Sequence, residues 1–419
     1  MQTSNSYSVN WYKWHRLNPS SPADSDDSSS LGQGYVMNGS ADASPVLGAM
    51  PQEYLMNVSG EVSPVYGATT HSSAANSATT VATSAPPAPT LVGSSNGLRF
   101  DLIWDSSVAN APRGFTQAVI DAAKYYAGLF SNKEVIAIDV GYGEIAGSRM
   151  ASNALGESES YGYLTNYATV TTALSPDGFT FTAANEPTAS QFFVTSAEAK
   201  ALGLVNPVSG LDGYVGFSNL SGTGFSWNTA ASATGSNFGT GPNQFDLQAA
   251  AEHEISEIMG RIGMEGYAVI NGQPTYTPLD LFNYQSAGVL ELSANGGYFS
   301  VNNGSTNLGN YNNAAVNGGD IADWASSTSI AQSNTLGLTK GFYDAYDAFT
   351  SPGVNGQVSV SDVIEDAALG YRLTPAANVA LLANYTAASL VGGASLHGAV
   401  VAQDAQAHNQ QLLLSNPHA

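Results

Sequence analysis

The sequence predicts an α+β fold: a twisted mixed sheet with two main helices and an irregular C-terminal half rich in glycine and asparagine. Two observations lead to this prediction. A strand, a helix and a second strand follow one another from about residue 98, which is typical of a sheet with a helix packed on it. A second helical pattern follows at 246–259, and beyond it short apolar runs alternate with Gly- and Asn-rich loops.

The first unit begins where the composition changes. Residues 99–105 alternate between apolar and polar side chains, which predicts a strand. Between 114 and 130 the apolar residues fall on one face of a helix. Residues 135–140 predict the second strand. Further strands are expected at 191–194, 214–217 and 298–301, and a last helix is expected at 360–369.

Three segments of the chain differ in composition and in the pattern of their apolar residues. Residues 1–94 are rich in Ser, Ala, Pro and Thr without an apolar period, which predicts a disordered leader. Residues 95–374 carry the periodic patterns and are expected to form the folded domain. Residues 375–419 form a tail. Nowhere does the chain have the roughly 18 consecutive apolar residues that a membrane span requires.

The charge and the absence of cysteine exclude several classes of function. The chain has 11 Lys+Arg against 33 Asp+Glu, for a formal net charge of -22. Such an acidic surface repels phosphate backbones, so we expect no nucleic-acid partner. With no cysteine, the chain has no disulfide, no thiolate ligand for a metal and no cysteine nucleophile.

The helix predicted at 246–259 carries the residues best suited to chemistry. His253 and Glu257 are four residues apart and share one face, while Glu254 lies between that face and an apolar stripe. Asp246 is the expected N-cap and Gly260 the expected end of the helix. Imidazole and carboxylate are both zinc ligands, and a carboxylate beside them can take a proton from water. We therefore expect a metal site in which Glu254 is the catalytic base.

The order of these residues resembles a known group of enzymes. The pattern His253-Glu254-x-x-Glu257-x-x-Gly260 is similar to the active helix of metzincin zinc proteases, H-E-x-x-H-x-x-G-x-x-H/D. The stretches 253–261, 277–282 and 319–325 are similar to a family of bacterial extracellular metalloproteases with an HEISE-type active helix. The resemblance covers roughly residues 98–374. It implies a metzincin-like zinc-protease fold with an edge strand at 214–219, a zinc ion, and hydrolysis of a protein or peptide substrate.

The sequence also departs from the metzincin pattern. Glu257 stands where the pattern has its second histidine, and Gly263 stands where it has the third ligand. No methionine follows Met264, so the usual Met-turn is absent. The candidates for a third ligand are Glu265, Asp280, a tyrosine such as Tyr276 or Tyr284, or a more distant residue. We favour Asp280, because its neighbours are apolar and an unpaired charge there would be costly. Carboxylate-rich coordination also admits manganese or calcium.

These observations predict a secreted metal-dependent endopeptidase. His253, Glu257 and Asp280 hold the metal, and Glu254 activates the water that attacks the peptide bond. The alternative is a catalytically inactive extracellular binding or surface protein that keeps the metalloprotease fold. The missing second histidine and the missing Met-turn favour this alternative.

Three further features have ordinary explanations with a functional alternative. Asp320 and Asp323, beside Trp324, are expected to be turn residues, with a structural calcium ion as the alternative. Arg261 is expected to be a cation at a helix end, with recognition of a peptide carboxylate as the alternative. The tail and the acidic, cysteine-free composition resemble substrates of one-step bacterial secretion, which carry a C-terminal signal. This resemblance implies a secretion signal in residues 375–419, an extracellular protein, a secretion apparatus as partner and no cleaved N-terminal signal.

Overall fold

The structure is a computed structural model. It describes residues 12–13, 52–56, 62–64 and 85–378, apart from 176–178, 180, 182–184, 188–189, 207–209, 232–234, 236–238, 266–267 and 271. The α-helices are α1 (Phe115–Leu129), α2 (Tyr167–Leu174), α3 (Ser196–Ala201), α4 (Leu247–Met259), α5 (Ala314–Asn317), α6 (Ile330–Leu336) and α7 (Val360–Ala368). The strands are β1 (Tyr12–Lys13), β2 (Glu53–Met56), β3 (Val62–Pro64), β4 (Thr90–Gly93), β5 (Arg99–Trp104), β6 (Val135–Tyr142), β7 (Glu144–Ile145), β8 (Ser148–Arg149), β9 (Gly156–Thr165), β10 (Gln191–Thr195), β11 (Gly213–Phe217), β12 (Ser226–Asn228), β13 (Gln244–Asp246), β14 (Ala268–Ile270), β15 (Gln273–Tyr276), β16 (Asn283–Ser286), β17 (Val289–Leu290), β18 (Gly297–Phe299), β19 (Gly309–Tyr311), β20 (Tyr343–Asp344), β21 (Phe349–Thr350) and β22 (Gly356–Gln357).

A mixed sheet forms the centre of the molecule. Its strand order is β14-β15-β10-β9-β11-β6-β5-β4, and the hairpin β2–β3 joins it through β9. Strands β5, β6 and β11 are parallel, whereas β9 is antiparallel to both β10 and β11. The predicted α+β class with a mixed sheet is confirmed.

The two longest helices pack side by side on one face of this sheet. Helix α1 contacts β4 and β5, helix α4 contacts β9 and β11, and the two helices contact each other. Their shared core is apolar. The face of α1 predicted from its 3.6-residue period is buried throughout, at Phe115, Val119, Ala122, Tyr126 and the following Phe130. Alternation along β5 likewise buries Phe100, Leu102 and Trp104 against this layer.

Strand β9 is paired differently along its two halves. Ser160 pairs with Gly213 of β11 and also with Met56 of β2, so these two strands lie on opposite edges of β9. Gly162 pairs in the same way with both β10 and β2. Strands β10 and β11 therefore pair with successive parts of the same edge of β9. Among the described strands, none pairs with 156–159 on the opposite edge, so the first half of β9 is an edge strand beside α4.

The structure corrects the edge strand expected at 214–219. Strand β11 covers most of that segment, but it lies between β6 and β9 and is therefore internal. Beside α4 the unpaired edge belongs to β9, and the sequence does not predict this strand because it begins with a polar run, Glu157-Ser158-Glu159. These polar side chains are nevertheless buried. Ser158 faces α4, where its hydroxyl donates to Glu257, whereas Glu157 lies on the other face of the strand and accepts a hydrogen bond from the backbone N–H of Ala151.

Parts of the segment predicted as a leader form strands in the structure. Strands β1 to β4 all come from residues 1–94, and β2 and β4 pair with β9 and β5 of the domain. Backbone pairing with an existing strand orders such segments without an apolar pattern of their own. The predicted secretion signal falls in the tail, and residues 379–419 lie outside the described residues.

The C-terminal half consists of short strands and loops held around α7. A four-stranded sheet, β17-β16-β18-β19, is followed by bridges from Trp324 to Tyr311 and to Asp347. Helix α7 begins with a capping box formed by Ser359 and Asp362. The irregular character predicted for this half agrees with these elements. None of the described helices combines the length and the apolar character that a membrane crossing requires.

Candidate metal centre

Helix α4 carries three of the four predicted site residues and is buried on all sides. The Asp246 side chain accepts a hydrogen bond from the backbone N–H of Ala249 at 3.3 Å, which confirms the predicted N-cap. Gly260 ends the helix with φ of 117°, a left-handed conformation that glycine adopts without strain. Both ends of the helix are therefore fixed by local sequence, so its polar side chains have defined positions.

The His253 imidazole lies beside two carboxylates from different parts of the chain. Its Nε2 atom is 3.5 Å from Oε1 of Glu257, one turn further along α4. The same atom is 3.3 Å from Oδ1 of Asp323, in the segment between α5 and α6. One ligand atom from each residue lies within 4.8 Å of the other two, and all three residues are buried. We call them the His–Glu–Asp cluster.

The donor atoms of the cluster and their spacing fit a divalent metal ion. Zinc binds imidazole nitrogen and carboxylate oxygen at about 2.0–2.2 Å in tetrahedral geometry, which separates neighbouring ligand atoms by about 3.3–3.5 Å. The distances from His253 Nε2 to the two carboxylate oxygens, 3.5 and 3.3 Å, agree with this separation. Three protein ligands would leave a fourth coordination position for water or substrate, as in catalytic zinc sites.

Neighbouring groups orient the ligands of the cluster. His253 Nδ1 lies 3.0 Å from the backbone oxygen of Ala345. A proton on Nδ1 donates to that oxygen, so in the neutral ring the Nε2 lone pair faces the carboxylates. The Ser158 hydroxyl, from the edge half of β9, donates to Glu257 Oε2 at 2.7 Å. The Tyr346 ring stacks on the imidazole, with ring centroids 5.2 Å apart and planes inclined by 24°.

Burial and mutual charge perturb the protonation of His253 and Asp323. Burial alone lowers the pKa of His253, but the carboxylates of Asp323 and Glu257 outweigh it and raise the pKa to about 9. Burial raises the pKa of Asp323 to about 7, although the positive charge of His253 opposes this change. In the metal-free protein the cluster therefore holds a proton on His253 at neutral pH, and a bound cation replaces that positive charge.

Glu254 lies beside the cluster and against the first residue of β9. Its side chain is buried, and neither oxygen accepts a hydrogen bond from an amide, hydroxyl or guanidinium group of the described residues. A Cβ atom on Gly156 would come within 2.2 Å of Glu254 Oε1, so the glycine makes room for the carboxyl group. Burial raises the pKa of Glu254 well above its usual range, and Glu257 raises it further. In the metal-free protein these effects favour the protonated form of Glu254, and a cation held by the cluster would favour the carboxylate form that a general base requires.

The structure does not bring the predicted ligand Asp280 into the cluster. Its Oδ2 atom instead accepts hydrogen bonds from the backbone N–H groups of Met264, Glu265 and Thr277, at 3.2, 2.8 and 2.9 Å. The carboxylate therefore braces the loop that follows α4. The apolar neighbours of Asp280 correctly indicated a buried charge, but backbone donors rather than a metal satisfy it.

The other candidates for the third ligand also lie elsewhere. Glu265 is hydrogen-bonded by the Asn283 side-chain amide, and its pKa is raised to about 10 by burial and by Asp280. Tyr276 packs against Phe192 in the main sheet. Tyr284 packs against Tyr298 in the β17-β16-β18-β19 sheet. None of these residues belongs to the group that the described residues form around His253.

Sequence reasoning assigned Asp323 to a turn, whereas the structure places it in the cluster. The backbone of this segment is held by its neighbours: Asn312 N–H donates to Asp323 O at 2.8 Å, and Trp324 N–H donates to Tyr346 O at 2.8 Å. The signal in the sequence was the stretch 319–325, which is one of the three stretches on which the predicted resemblance rests. Asp320 lies nearby, and its charge raises the pKa values of Asp323 and Glu254.

Comparisons with known proteins identify no relative of this chain. No family model matches the chain, and neither a curated protein nor a solved structure matches it. The function must therefore be inferred from the residues of the site and from their geometry.

Proposed function

We propose that this chain is a metal-dependent endopeptidase. In this proposal His253, Glu257 and Asp323 bind a zinc ion, and Glu254 acts as the general base. The observation that carries the proposal is the convergence on His253 Nε2 of two carboxylate oxygens from separate segments, at 3.5 and 3.3 Å. The metzincin-like order of His253 and Glu254 on one helix supports the assignment of peptide-bond hydrolysis.

Each residue has a role that its surroundings support. Zinc at this position would supply Lewis acidity, polarising the substrate carbonyl and lowering the pKa of the attacking water. Glu254 would take the proton of that water and deliver it to the leaving amine. Ser158 would hold the carboxylate of Glu257 through its hydrogen bond, and the backbone oxygen of Ala345 would hold the imidazole of His253.

A second candidate function is a binding or surface protein in which the metal has a structural role. The burial of the site favours it. His253 and Glu254 are 0% exposed, Asp323 is 1% exposed and Glu257 is 3% exposed. Structural metal sites are closed to water, whereas a hydrolase must admit its substrate to the metal. A peptidase with this chain therefore requires a conformation in which the cluster is more open.

Metal content and casein cleavage, measured on the full chain, separate the two candidates. We expect about one zinc per chain by elemental mass spectrometry, and its loss in His253→Ala and Glu257→Ala. For a peptidase, Glu254→Gln keeps the zinc and lowers the cleavage rate by about 10²- to 10⁴-fold. Glu198→Gln is the matched control, because Glu198 is an equally buried glutamate on α3 whose pKa burial also raises well above its usual range.

The outcomes of this experiment are distinct. Zinc binding without any cleavage by the wild type would favour the binding protein. A wild type that binds no zinc under zinc-replete conditions would refute the metal centre. Equal loss of cleavage in Glu254→Gln and Glu198→Gln would refute the specific role of Glu254.

A further inference from the structure

Arg261 is an isolated cation within an acidic half of the chain. Between Lys200 and Lys340 it is the only lysine or arginine in the sequence. It directly follows Gly260, in agreement with the predicted cation at a helix end. The structure buries it at 1% exposure, beside the proposed metal centre. A buried guanidinium requires charged or aromatic partners, because desolvation is otherwise costly.

Helix α7 supplies the charged partners. Arg261 Nε forms a hydrogen-bonded ion pair with Oε2 of Glu365. Its Nη2 atom lies 3.7 Å from Oδ1 of Asp362. Glu365 also accepts a hydrogen bond from the Tyr311 hydroxyl, and Asp362 accepts one from Trp324 Nε1 at 2.6 Å. The guanidinium is therefore fixed in position from the α7 side.

Two aromatic rings lie near the guanidinium carbon. Arg261 Cζ lies 3.7 Å from the centroid of the Tyr346 ring and 5.0 Å from that of the Trp324 ring. Both distances are within the range of cation–π attraction. The planar guanidinium suits such contacts better than an ammonium group does, because it can stack on a ring face.

The same two rings adjoin the ligands of the His–Glu–Asp cluster. Tyr346 stacks on the His253 imidazole, and the preceding residue, Ala345, accepts the hydrogen bond of its Nδ1 atom. Trp324 directly follows Asp323 in the chain. A backbone hydrogen bond from Trp324 N–H to Tyr346 O, 2.8 Å long, joins the two segments. One side chain thus contacts the aromatic supports of both ligands.

We infer that Arg261 is a positioning residue of the metal centre: anchored to Glu365, it holds Tyr346 and Trp324, and through them His253 and Asp323. The inference rests on the proposed metal site. In this inference the stack of His253, Tyr346 and Arg261 positions a metal ligand, in addition to the stability that an ordinary buried ion pair supplies.

Zinc affinity and the absorption spectrum of bound cobalt test this inference on the full chain. Affinity is measured by competition with a chromophoric chelator, and the cobalt d–d bands report ligand geometry. Arg261→Lys keeps the charge without the planar face, and Tyr346→Leu removes the ring between Arg261 and His253. We expect each variant to weaken zinc binding about 10- to 100-fold, as supporting contacts of metal ligands do, and to shift the cobalt bands.

Tyr371→Leu is the matched control. Tyr371 is also fully buried, and its hydroxyl donates to a backbone oxygen of α4, that of Met259, at 2.8 Å. It should destabilise the fold and leave zinc affinity and cobalt bands unchanged. Unaltered affinity and bands in Arg261→Lys and Tyr346→Leu would overturn the inference, and so would equal losses in the control. If Arg261→Lys does not fold, Tyr346→Leu decides, because it leaves the ion pairs of Arg261 intact. A wild type without zinc would refute the metal site itself.

Discussion

The choice between Asp323 and Asp280 as third ligand can be decided by exchanging each for asparagine. The two residues are buried to a similar degree, at 1% and 2% exposure, so the pair is matched for environment. They differ in partners: Asp323 faces His253 Nε2 at 3.3 Å, whereas Asp280 accepts backbone hydrogen bonds. Asp323→Asn should therefore weaken metal binding, and Asp280→Asn should weaken the fold.

The expected size of each effect follows from these partners. Structural zinc sites contribute at least about 10 kcal/mol, so each of three protein ligands accounts for roughly 3 kcal/mol. A loss of that size in Asp323→Asn lowers zinc affinity on the order of 100-fold. In Asp280→Asn the three backbone N–H groups lose a charged acceptor, which should lower the free energy of unfolding by about 1–3 kcal/mol. Its zinc affinity should stay within about threefold of the wild type.

Two measurements on the full chain give both quantities. Zinc affinity comes from chelator competition at fixed pH, and the free energy of unfolding comes from urea denaturation of the metal-stripped protein. If Asp280→Asn loses the zinc and Asp323→Asn retains it, the assignment drawn from the structure is refuted and the one drawn from the sequence is correct. Zinc loss in both variants would indicate that the two carboxylates act together.

Three other predictions test the cluster and the residues around it. Ser158→Ala removes the hydrogen bond to a ligand carboxylate and should lower zinc affinity about 10- to 100-fold in the competition assay; unchanged affinity would contradict that role. Gly156→Ala places a methyl group within 2.2 Å of Glu254 Oε1, so casein cleavage should fall more than tenfold while zinc affinity changes little; full activity would mean that Glu254 has room to move. Because the pKa of His253 is raised from 6.5 to about 9 in the metal-free fold, its contribution to stability is complete below pH 6.5 and disappears as the pH rises through 9. Urea denaturation of metal-stripped protein from pH 6 to 10 should show this decline, and His253→Gln should lack it.

Local patterns in the sequence were sufficient for much of the fold. The apolar period of α1, the alternation in β5 and the N-cap and terminal glycine of α4 each depend on residues close together in the chain. Strand order depends on pairing between distant segments, so the edge position of β9 was not predictable from its own residues. Strand β2 illustrates the same limit, because it is ordered by pairing with β9.

The residues of the site likewise differ in whether local sequence could predict their positions. His253, Glu254 and Glu257 lie on one helix, so their spacing alone brings them together. Asp323 reaches the same point through hydrogen bonds from Asn312 to Asp323 and from Trp324 to Tyr346, which no local pattern encodes. An acidic residue in apolar surroundings indicates a buried charge without naming what neutralises it.

The charges around Arg261 indicate what neutralises the buried carboxylates of the cluster. In the metal-free protein the cluster and its surroundings bury many carboxylates around one guanidinium, and burial raises the pKa of most of them. That guanidinium is already paired with Glu365 and Asp362 of α7. Protonation of the carboxylates themselves removes part of the remaining negative charge, and a proton on His253 or a metal ion balances the rest. Because both compete for Nε2, zinc affinity should rise with pH until His253 is deprotonated, while the metal-free fold becomes weaker over the same range.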